Sequence, residues 1–266
     1  MSKELTEVQA KLANSYQEFL HERRAPAWMA SDEATKLSAP FLIDPSAVDA
    51  YFKASCKIMF VGQETKGWCG KLQALLKETD LMEILFARYA KALVSPGRSS
   101  FLQMRRRMEV ELADGIAGSV VWNNLFKMDV NRGKNRTRNA RDYSDALTEF
   151  SADLFRLEFD LLRPKVVIFA CSVTHDGMIR KVFDKELLEG SIPLVKRELW
   201  YFRYRGSHCF RTFHPAVARW KKGAAVKAHY ETIIDAVRQI KAGKYRDWEG
   251  EPSANSAAVG GSMPQV

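Results

Sequence analysis

Short apolar runs alternate along the chain with longer segments in which apolar residues recur at helical spacing. These apolar runs, and one alternating segment, predict strands at 57–62, 118–124, 165–171, 198–205 and 209–213. The helical spacing predicts helices at 3–24, 71–93, 101–113, 142–162, 174–184 and 224–242. Alternation of this kind is typical of a parallel sheet with helices on both faces. We therefore expect a three-layer α/β/α fold with a central, mainly parallel four-stranded sheet.

The chain is expected to form one domain over residues 1–250, with the helix at 3–24 packed on it. Residues 251–266 are small and polar and include Gly, Ser and Pro, so we expect a disordered tail. The N-terminal stretch has no apolar signal core, and the longest clearly apolar run, 166–171, is too short to span a bilayer. We expect a soluble, cytoplasmic monomer with no membrane partner.

Charge and cysteine content narrow the possible functions. The 41 Lys and Arg residues outnumber the 32 Asp and Glu residues, which gives a net charge of +9 and favours an anionic partner such as nucleic acid. None of the four cysteines lies in a C-x-x-C pair, so a zinc ribbon or an iron–sulfur cluster is not expected. We therefore expect the cysteines to be buried, reduced thiols, as is typical of cytosolic proteins.

Polar and aromatic residues follow three of the predicted strands. The segments are Gly62-Gln63-Glu64-Thr65-Lys66-Gly67-Trp68, Trp122-Asn123-Asn124 and His214-Pro215-Ala216. Each has an ordinary structural explanation, such as a solvated turn carboxylate, a strand-end cap or a surface histidine. Ligands of parallel sheets bind beyond the carboxyl ends of the strands. Together the segments therefore indicate a site at one edge of the sheet.

Two of these segments resemble the uracil-DNA glycosylase superfamily. Gly62-Gln63-Glu64 after a buried strand is similar to that family's first motif, G-Q-D-P-Y-H. Phe213-His214-Pro215 is similar to its second motif, H-P-S-P, and the strand at 118–123 matches one that ends in a base-reading Asn. The resemblance covers roughly residues 55–240 as strand order. It implies a uracil-DNA-glycosylase-like fold.

The resemblance also implies roles for individual residues. Glu64 would stabilise positive charge on the sugar and orient water, and His214 would donate a hydrogen bond to the leaving base. Asn123 would read the edge of the flipped base, and Trp68 or Trp122 would stack on it. The implied activity is a monofunctional DNA glycosylase that hydrolyses the N-glycosidic bond and leaves an abasic site. Such a reaction needs no metal and no organic cofactor.

The first motif departs from the family pattern at two places. Glu64 stands where the family has Asp, and Thr65-Lys66 stands where it has Pro-Tyr. In uracil enzymes that Tyr excludes bases with a C5 substituent, so we expect a C5-modified pyrimidine, for example a modified cytosine of viral DNA, rather than strictly uracil. Lys66 would then contact a polar substituent; alternatively it binds a phosphate or points to solvent. Both genome repair and antiviral defence remain open as roles.

The basic residues are placed as DNA binding requires. Arg136 and Arg138 belong to a loop at 131–141 that contains no acidic residue. Arg219 is the expected wedge into the vacated duplex, with Trp220 as the second choice. Arg203, Arg205, Arg211, Lys221 and Lys222 also flank the His214 motif. The run Arg105-Arg106-Arg107 lies in a predicted helix and is expected to form a solvated face. The remaining residues expected to bind the base or DNA are Gly62, Gln63, Lys66 and Pro215.

Two other functions fit the same residues. The chain could be a nucleic-acid-binding module without catalytic activity, because the Glu64 and Lys66 departures allow it. It could also hydrolyse a nucleoside or another small molecule, although the basic loop argues against this.

Overall fold

A computed structural model describes residues 3–20, 36–77, 80–94, 99–130, 145–183, 188–219 and 223–245. Its strands are β1 Ile58–Gly62, β2 Val120–Asn124, β3 Val166–Ala170, β4 Leu188–Val195, β5 Leu199–Tyr204 and β6 Ser207–Thr212. Its helices are α1 Lys3–Glu18, α2 Asp49–Lys53, α3 Leu72–Leu75, α4 Leu81–Val94, α5 Ser100–Leu112, α6 Asp145–Leu162, α7 Asp176–Val182 and α8 Gly223–Lys241. Short 3₁₀ turns lie at Pro45–Val48, Val173–His175 and Pro215–Arg219.

The six strands form one mixed sheet in the order β2-β1-β3-β6-β5-β4. Strands β2, β1, β3 and β6 are parallel, whereas β5 and β4 continue the sheet in antiparallel pairing. The α/β class is confirmed, but the expected count of four strands is wrong because β5 and β4 join the same sheet. The parallel strands end together at what we call the carboxyl edge, after Gly62, Asn124, Ala170 and Thr212.

Helices cover both faces of this sheet, as the alternating pattern predicted. On one face the apolar core includes Leu12 of α1, Tyr89 of α4 and Phe155 of α6. On the other it includes Met108 of α5 and Tyr230 of α8. Every residue of β1 and β3 is buried, which is why those two runs are continuously apolar rather than alternating.

The N-terminal helix packs on the sheet as expected, with Leu5, Leu12 and Tyr16 buried. It is described as far as residue 20, so its expected extension to residue 24 lies outside the described residues, as does the tail expected at 251–266. Three cysteines, Cys56, Cys171 and Cys209, are buried, and all four are free thiols. Among the helices that the structure describes, none is both long enough and apolar enough to cross a membrane.

The arginine run of α5 is not a solvated face, contrary to expectation. Arg105 is fully buried, and its guanidinium donates to Glu109 Oε1 at 2.6 Å and to the Leu93 carbonyl at 2.7 Å. Arg107 pairs with Glu111 and, across to α8, with Glu231 at 2.6 Å. These contacts fix α5 between α4 and α8, and thereby fix the N-terminal end of α5 beside the carboxyl edge.

Candidate active site at the carboxyl edge

The loop after β1 is fixed by a buried carboxylate. Thr65 Oγ1 donates to Asp129 Oδ1 at 2.5 Å, and the backbone N–H of Gly67 donates to Asp129 Oδ2 at 2.8 Å. Ser38 Oγ lies 3.0 Å from Thr65 Oγ1 and accepts from the backbone N–H of Asp129 at 3.0 Å. Asp129 therefore holds the loop on both sides of residue 66. Thr65 serves as an anchor in this loop, because its side chain is buried and points away from solvent.

The anchored loop carries Gln63, Glu64 and Lys66. Gln63 and Glu64 are half-buried, and Lys66 is exposed. Lys66 has a φ of 49°, a left-handed conformation that a side chain disfavours and that strained functional loops often contain. Gly67 follows with a φ of 75°. The sharp reversal presents the Lys66 ammonium outward while the Thr65 side chain points inward.

Asn123 does not face this loop, so the base-reading position given to it does not fit the geometry. Its amide is fully buried on the opposite face of the sheet, where Nδ2 donates to Glu158 Oε2 at 2.8 Å. Its Oδ1 accepts from the buried Lys127 ammonium and from the backbone N–H of Asn124. The cluster closes through Tyr16, whose hydroxyl donates to Glu158 Oε1 at 2.8 Å. These bonds leave Asn123 a structural role at the junction of α1, β2 and α6.

Asn124 is the amide that lies beside Gly62. Successive residues of a strand point to opposite faces, so Asn124 points away from the Asn123 cluster. Its Oδ1 accepts from Trp122 Nε1 at 3.2 Å. Its Nδ2 is buried and has no hydrogen-bond partner among the described residues. A buried donor without a partner is costly, and a ligand carbonyl at this place would satisfy it.

Gly62 is required where β1 passes Asn124. A Cβ added at residue 62 would overlap Asn124 Oδ1 and would lie 3.3 Å from the Phe101 ring. Gly62→Ala should therefore displace the Asn124 amide, lower the rate of any reaction at this site at least about tenfold and cost about 1–3 kcal/mol of unfolding free energy. Urea unfolding and the reaction rate measure the two effects. Gly177→Ala is the matched control, because a Cβ there meets nothing within 4 Å; an equal response in both variants would contradict the close approach.

His214 follows β6 and is held with a defined tautomer. Its Nδ1 accepts a 3.1 Å hydrogen bond from the backbone N–H of Ala216, so the neutral ring carries its proton on Nε2. Burial first, and then the nearby charges of Lys66 and His175, together lower the pKa of His214 to about 4. The ring is therefore a neutral Nε2–H donor at physiological pH. Pro215 is buried and begins the 3₁₀ turn that supplies the Ala216 N–H.

Two residues at this edge were not identified from the sequence. The ring of Phe101, at the start of α5, stacks on His214 with centroids 5.6 Å apart and an interplanar angle of 16°. His175 lies just after β3, and its charge reaches His214. His175 could have been identified from the sequence, because it follows the predicted strand at 165–171 and ligands bind beyond the ends of parallel strands. Phe101 carries no comparable signal, because its role depends on where α5 packs.

The two tryptophans differ in their access to a ligand. Trp68 is buried, with its ring 4.9 Å from Phe41 and 5.6 Å from Trp122. Trp122 is half-buried and also contacts Phe101, with centroids 5.6 Å apart. Trp68 therefore supports the aromatic wall, and Trp122 and Phe101 are the rings nearer to the edge.

The basic residues that were expected to contact DNA differ in where the structure places them. Arg219 is exposed at the end of the 3₁₀ turn after His214, while Arg136 and Arg138 lie outside the described residues. Arg211 is buried against Asp176 at 2.7 Å, so it is not a phosphate contact. Arg205 lies at the opposite edge of the sheet, where β5 turns into β6, and does not reach this site.

The carboxyl edge therefore brings together Gly62, Gln63, Glu64 and Lys66 with Asn124, His175 and His214. We call this set the carboxyl-edge cluster. Within the described ranges, no group of three or more His, Cys, Asp or Glu side chains is arranged to hold a metal ion. No protein-family model matches the chain, and no curated protein matches it.

Proposed function

We propose that the chain is a DNA glycosylase that extrudes a base and hydrolyses its N-glycosidic bond with water. The observation that carries this proposal is His214, a neutral imidazole whose proton is on Nε2. The unpaired amide donor of Asn124 lies at the same sheet edge, and the ring of Phe101 stacks on His214 and lies close to Gly62, which Asn124 contacts. Breaking an N-glycosidic bond sends negative charge onto the departing base. A neutral donor aimed at a base oxygen stabilises that charge as it develops.

Glu64 supplies the second part of the proposed reaction. The sugar becomes positive as the bond breaks, and a carboxylate from the fixed loop after β1 would stabilise it and orient the attacking water. The bond between C1′ and the base nitrogen breaks with its electron pair going to the base. A water oxygen then bonds to C1′ and loses a proton to Glu64 or solvent.

Base selection in this proposal involves Asn124 and Lys66. The Asn124 Nδ2 donor would pair with an acceptor on the extruded base. Lys66 reaches outward beside His214, where the family's Tyr would close the pocket against C5 substituents. We propose a pyrimidine with a polar C5 substituent, such as a modified cytosine of viral DNA, which would make defence against that DNA the biological role.

We also propose a relation to the uracil-DNA glycosylase superfamily, because the motif-like segments lie at the same edge of the sheet. The parallel strands β2, β1, β3 and β6 present the motif-like segments after β1 and β6 at one edge. A net charge of +9 and the exposed Lys66 and Arg219 suit a DNA partner. We further propose that the protein acts as a monomer in the cytoplasm.

Activity should depend on pH in a way that reports the His214 environment. An ordinary His would protonate near pH 6.5, but the His214 pKa of about 4 predicts constant activity from neutral pH to about pH 5 and a loss only near pH 4. Lys66→Met should shift this loss to higher pH, because it removes a charge that lowers the pKa. NMR titration of the His214 ring, assigned by its absence in His214→Gln, measures both pKa values directly, whereas a rate profile also reports the Glu64 carboxylate. A ring titrating near 6.5 would contradict the assigned role.

Abasic-site formation on labelled DNA tests the proposed activity. The strands carry uracil, hypoxanthine, a thymine mismatch, 5-hydroxymethylcytosine or its glucosylated form, each single- and double-stranded, and alkali reveals abasic sites. Cleavage at a C5-modified cytosine supports the full proposal, and cleavage at uracil alone supports the activity but not the substrate. No cleavage together with tight, salt-sensitive DNA binding would favour a nucleic-acid-binding module without catalysis.

A further inference from the structure

A cavity of about 650 Å³ lies at the other end of the strands, where β3 and β6 begin. Its polar and aromatic lining consists of Phe159, Asp160, Arg163, Lys165, Arg205 and Ser207. Strands of this length place it about 17 Å from the carboxyl edge. Pockets for small molecules in proteins have volumes of about 300–1,000 Å³, so the cavity is large enough for a ligand of nucleotide size.

The charges in this cavity do not balance. Arg205 pairs with Asp160 at 2.8 Å, and both side chains are about half exposed. In the part of the chain that the structure describes, the Arg163 guanidinium and the Lys165 ammonium have no hydrogen-bond or ion-pair partner. Three cations and one carboxylate leave an excess of two positive charges in the lining of the cavity. In the adjoining hollow, which shares Asp160 and Arg163, Glu4 and Glu7 are matched by Lys11 and Lys57, so the excess is not cancelled there.

Both arginines occupy backbone positions that side chains disfavour. Arg163 follows the last residue of α6 with a φ of 44°, and Arg205 begins the two-residue turn between β5 and β6 with a φ of 46°. Gly or Asn is usual at such positions. A cation near the end of α6 is favoured by the helix dipole, but this explanation does not extend to Arg205 in a hairpin turn. Strained residues that share one cavity point to a function there.

The two segments that contain these arginines, 163–165 and 205–208, are joined by hydrogen bonds. Ser207 Oγ donates to the Pro164 carbonyl at 2.5 Å, and the backbone N–H of His208 donates to the Lys165 carbonyl at 2.9 Å. These bonds fix the segment 163–165 against the turn at 205–206. The backbone positions of the cationic residues are therefore fixed before a ligand arrives, so only their side chains have to be ordered on binding.

We propose that this cavity binds the phosphate group of a small phosphorylated molecule, of the size of a nucleoside monophosphate. A phosphate monoester dianion matches the excess of two positive charges, and the fork of an arginine suits its oxygens. Each phosphate of a nucleic-acid backbone carries one negative charge, so a single backbone phosphate would match this excess less well. This site is separate from the carboxyl-edge cluster, and the proposal does not depend on the glycosylase activity.

Substitution of each strained arginine by Gly separates binding from folding. Arg163→Gly and Arg205→Gly remove a cation and also relieve the left-handed strain, so the Tm should stay constant or rise. Each should weaken binding of deoxycytidine 5′-monophosphate, measured calorimetrically at low salt, about tenfold. Asp160→Asn should tighten binding, because it removes the competing carboxylate. Arg197→Gly is the control: Arg197 is exposed, has a φ of 62° and lies outside the cavity, so binding should not change.

Three further ligands decide what is recognised. Deoxycytidine without phosphate should not bind at the same concentrations, and inorganic phosphate should compete but bind more weakly than the nucleotide. Equal binding of inorganic phosphate and nucleotide would overturn the proposed ligand size. Displacement of the nucleotide by unphosphorylated single-stranded DNA would assign the cavity to a nucleic-acid backbone instead. Absence of saturable nucleotide binding at millimolar concentration, or binding unchanged in both arginine variants, would overturn the proposal entirely.

Discussion

Glu64→Gln should lower the rate of base excision by a factor of about 10³ or more, which corresponds to about 4 kcal/mol of transition-state stabilisation. The substitution keeps the size of the side chain and its place in the loop, because Asp129 holds Thr65 and Gly67 independently of residue 64. The substitution removes the negative charge that, in the proposed reaction, would stabilise the positive sugar. DNA affinity should change little, since the ground state carries no such positive charge.

Single-turnover abasic-site formation and DNA binding by fluorescence anisotropy measure the two quantities separately. Glu7→Gln is the matched control, because Glu7 is exposed on α1 and lines a hollow at the amino end of the strands. That variant should keep the wild-type rate. An active Glu64→Gln protein would remove Glu64 from the reaction, and a fall in affinity as large as the fall in rate would assign Glu64 to binding alone.

Lys127→Met should destabilise the protein by about 3–5 kcal/mol. The Lys127 ammonium is completely buried and bonds to both Glu158 and Asn123. Burial lowers the Lys127 pKa, and the Glu158 carboxylate opposes that shift and favours the charged form. Without the ammonium, the Glu158 carboxylate remains buried with its charge uncompensated, and among the described residues Tyr16 and Asn123 are its remaining donors.

A double-mutant cycle identifies the cause of this loss. Lys127→Met combined with Glu158→Gln should recover at least half of the lost stability, because the neutral amide does not leave a charge in the core. The surface pair Lys53–Asp49 provides the comparison, and Lys53→Met should leave the urea midpoint almost unchanged. If Lys127→Met costs as little as the surface substitution, the buried ion pair does not hold α1, β2 and α6 together.

Hydrophobic patterning was sufficient to locate the parallel part of the sheet. The runs at 57–62, 118–124 and 165–171 contain β1, β2 and β3, since strands buried on both faces must be continuously apolar. Strand β4, the last strand of the sheet, was not predicted, because its sequence contains Glu189, Gly190 and Pro193 and resembles a loop. An edge strand needs few apolar residues, and only its pairing with the buried β5 shows that it is a strand.

The rule that ligands bind beyond strand ends located the candidate site, but not which side chain of each pair faces it. Asn123 and Asn124 are adjacent residues of the same type, so the sequence does not show which of them faces the site. A one-residue difference in strand register would exchange the faces to which they point. The contacts of Asn123 with Glu158 and Lys127 resolve the choice. Arg105 was misplaced for a related reason, because its burial depends on backbone carbonyls contributed by α4 and β2.

The most direct test of the central claim is mass spectrometry of the products released from double-stranded DNA that contains glucosylated 5-hydroxymethylcytosine or uracil. If the carboxyl-edge cluster breaks the N-glycosidic bond, the wild-type protein should release the free base and leave a strand of unchanged length with an abasic site. Glu64→Gln and His214→Gln should release no detectable base in the time that the wild-type protein needs to complete the reaction. The account would be contradicted if the protein released a nucleoside or nucleotide, or if it cut the strand directly. It would also be contradicted if the protein bound both DNA substrates and altered neither.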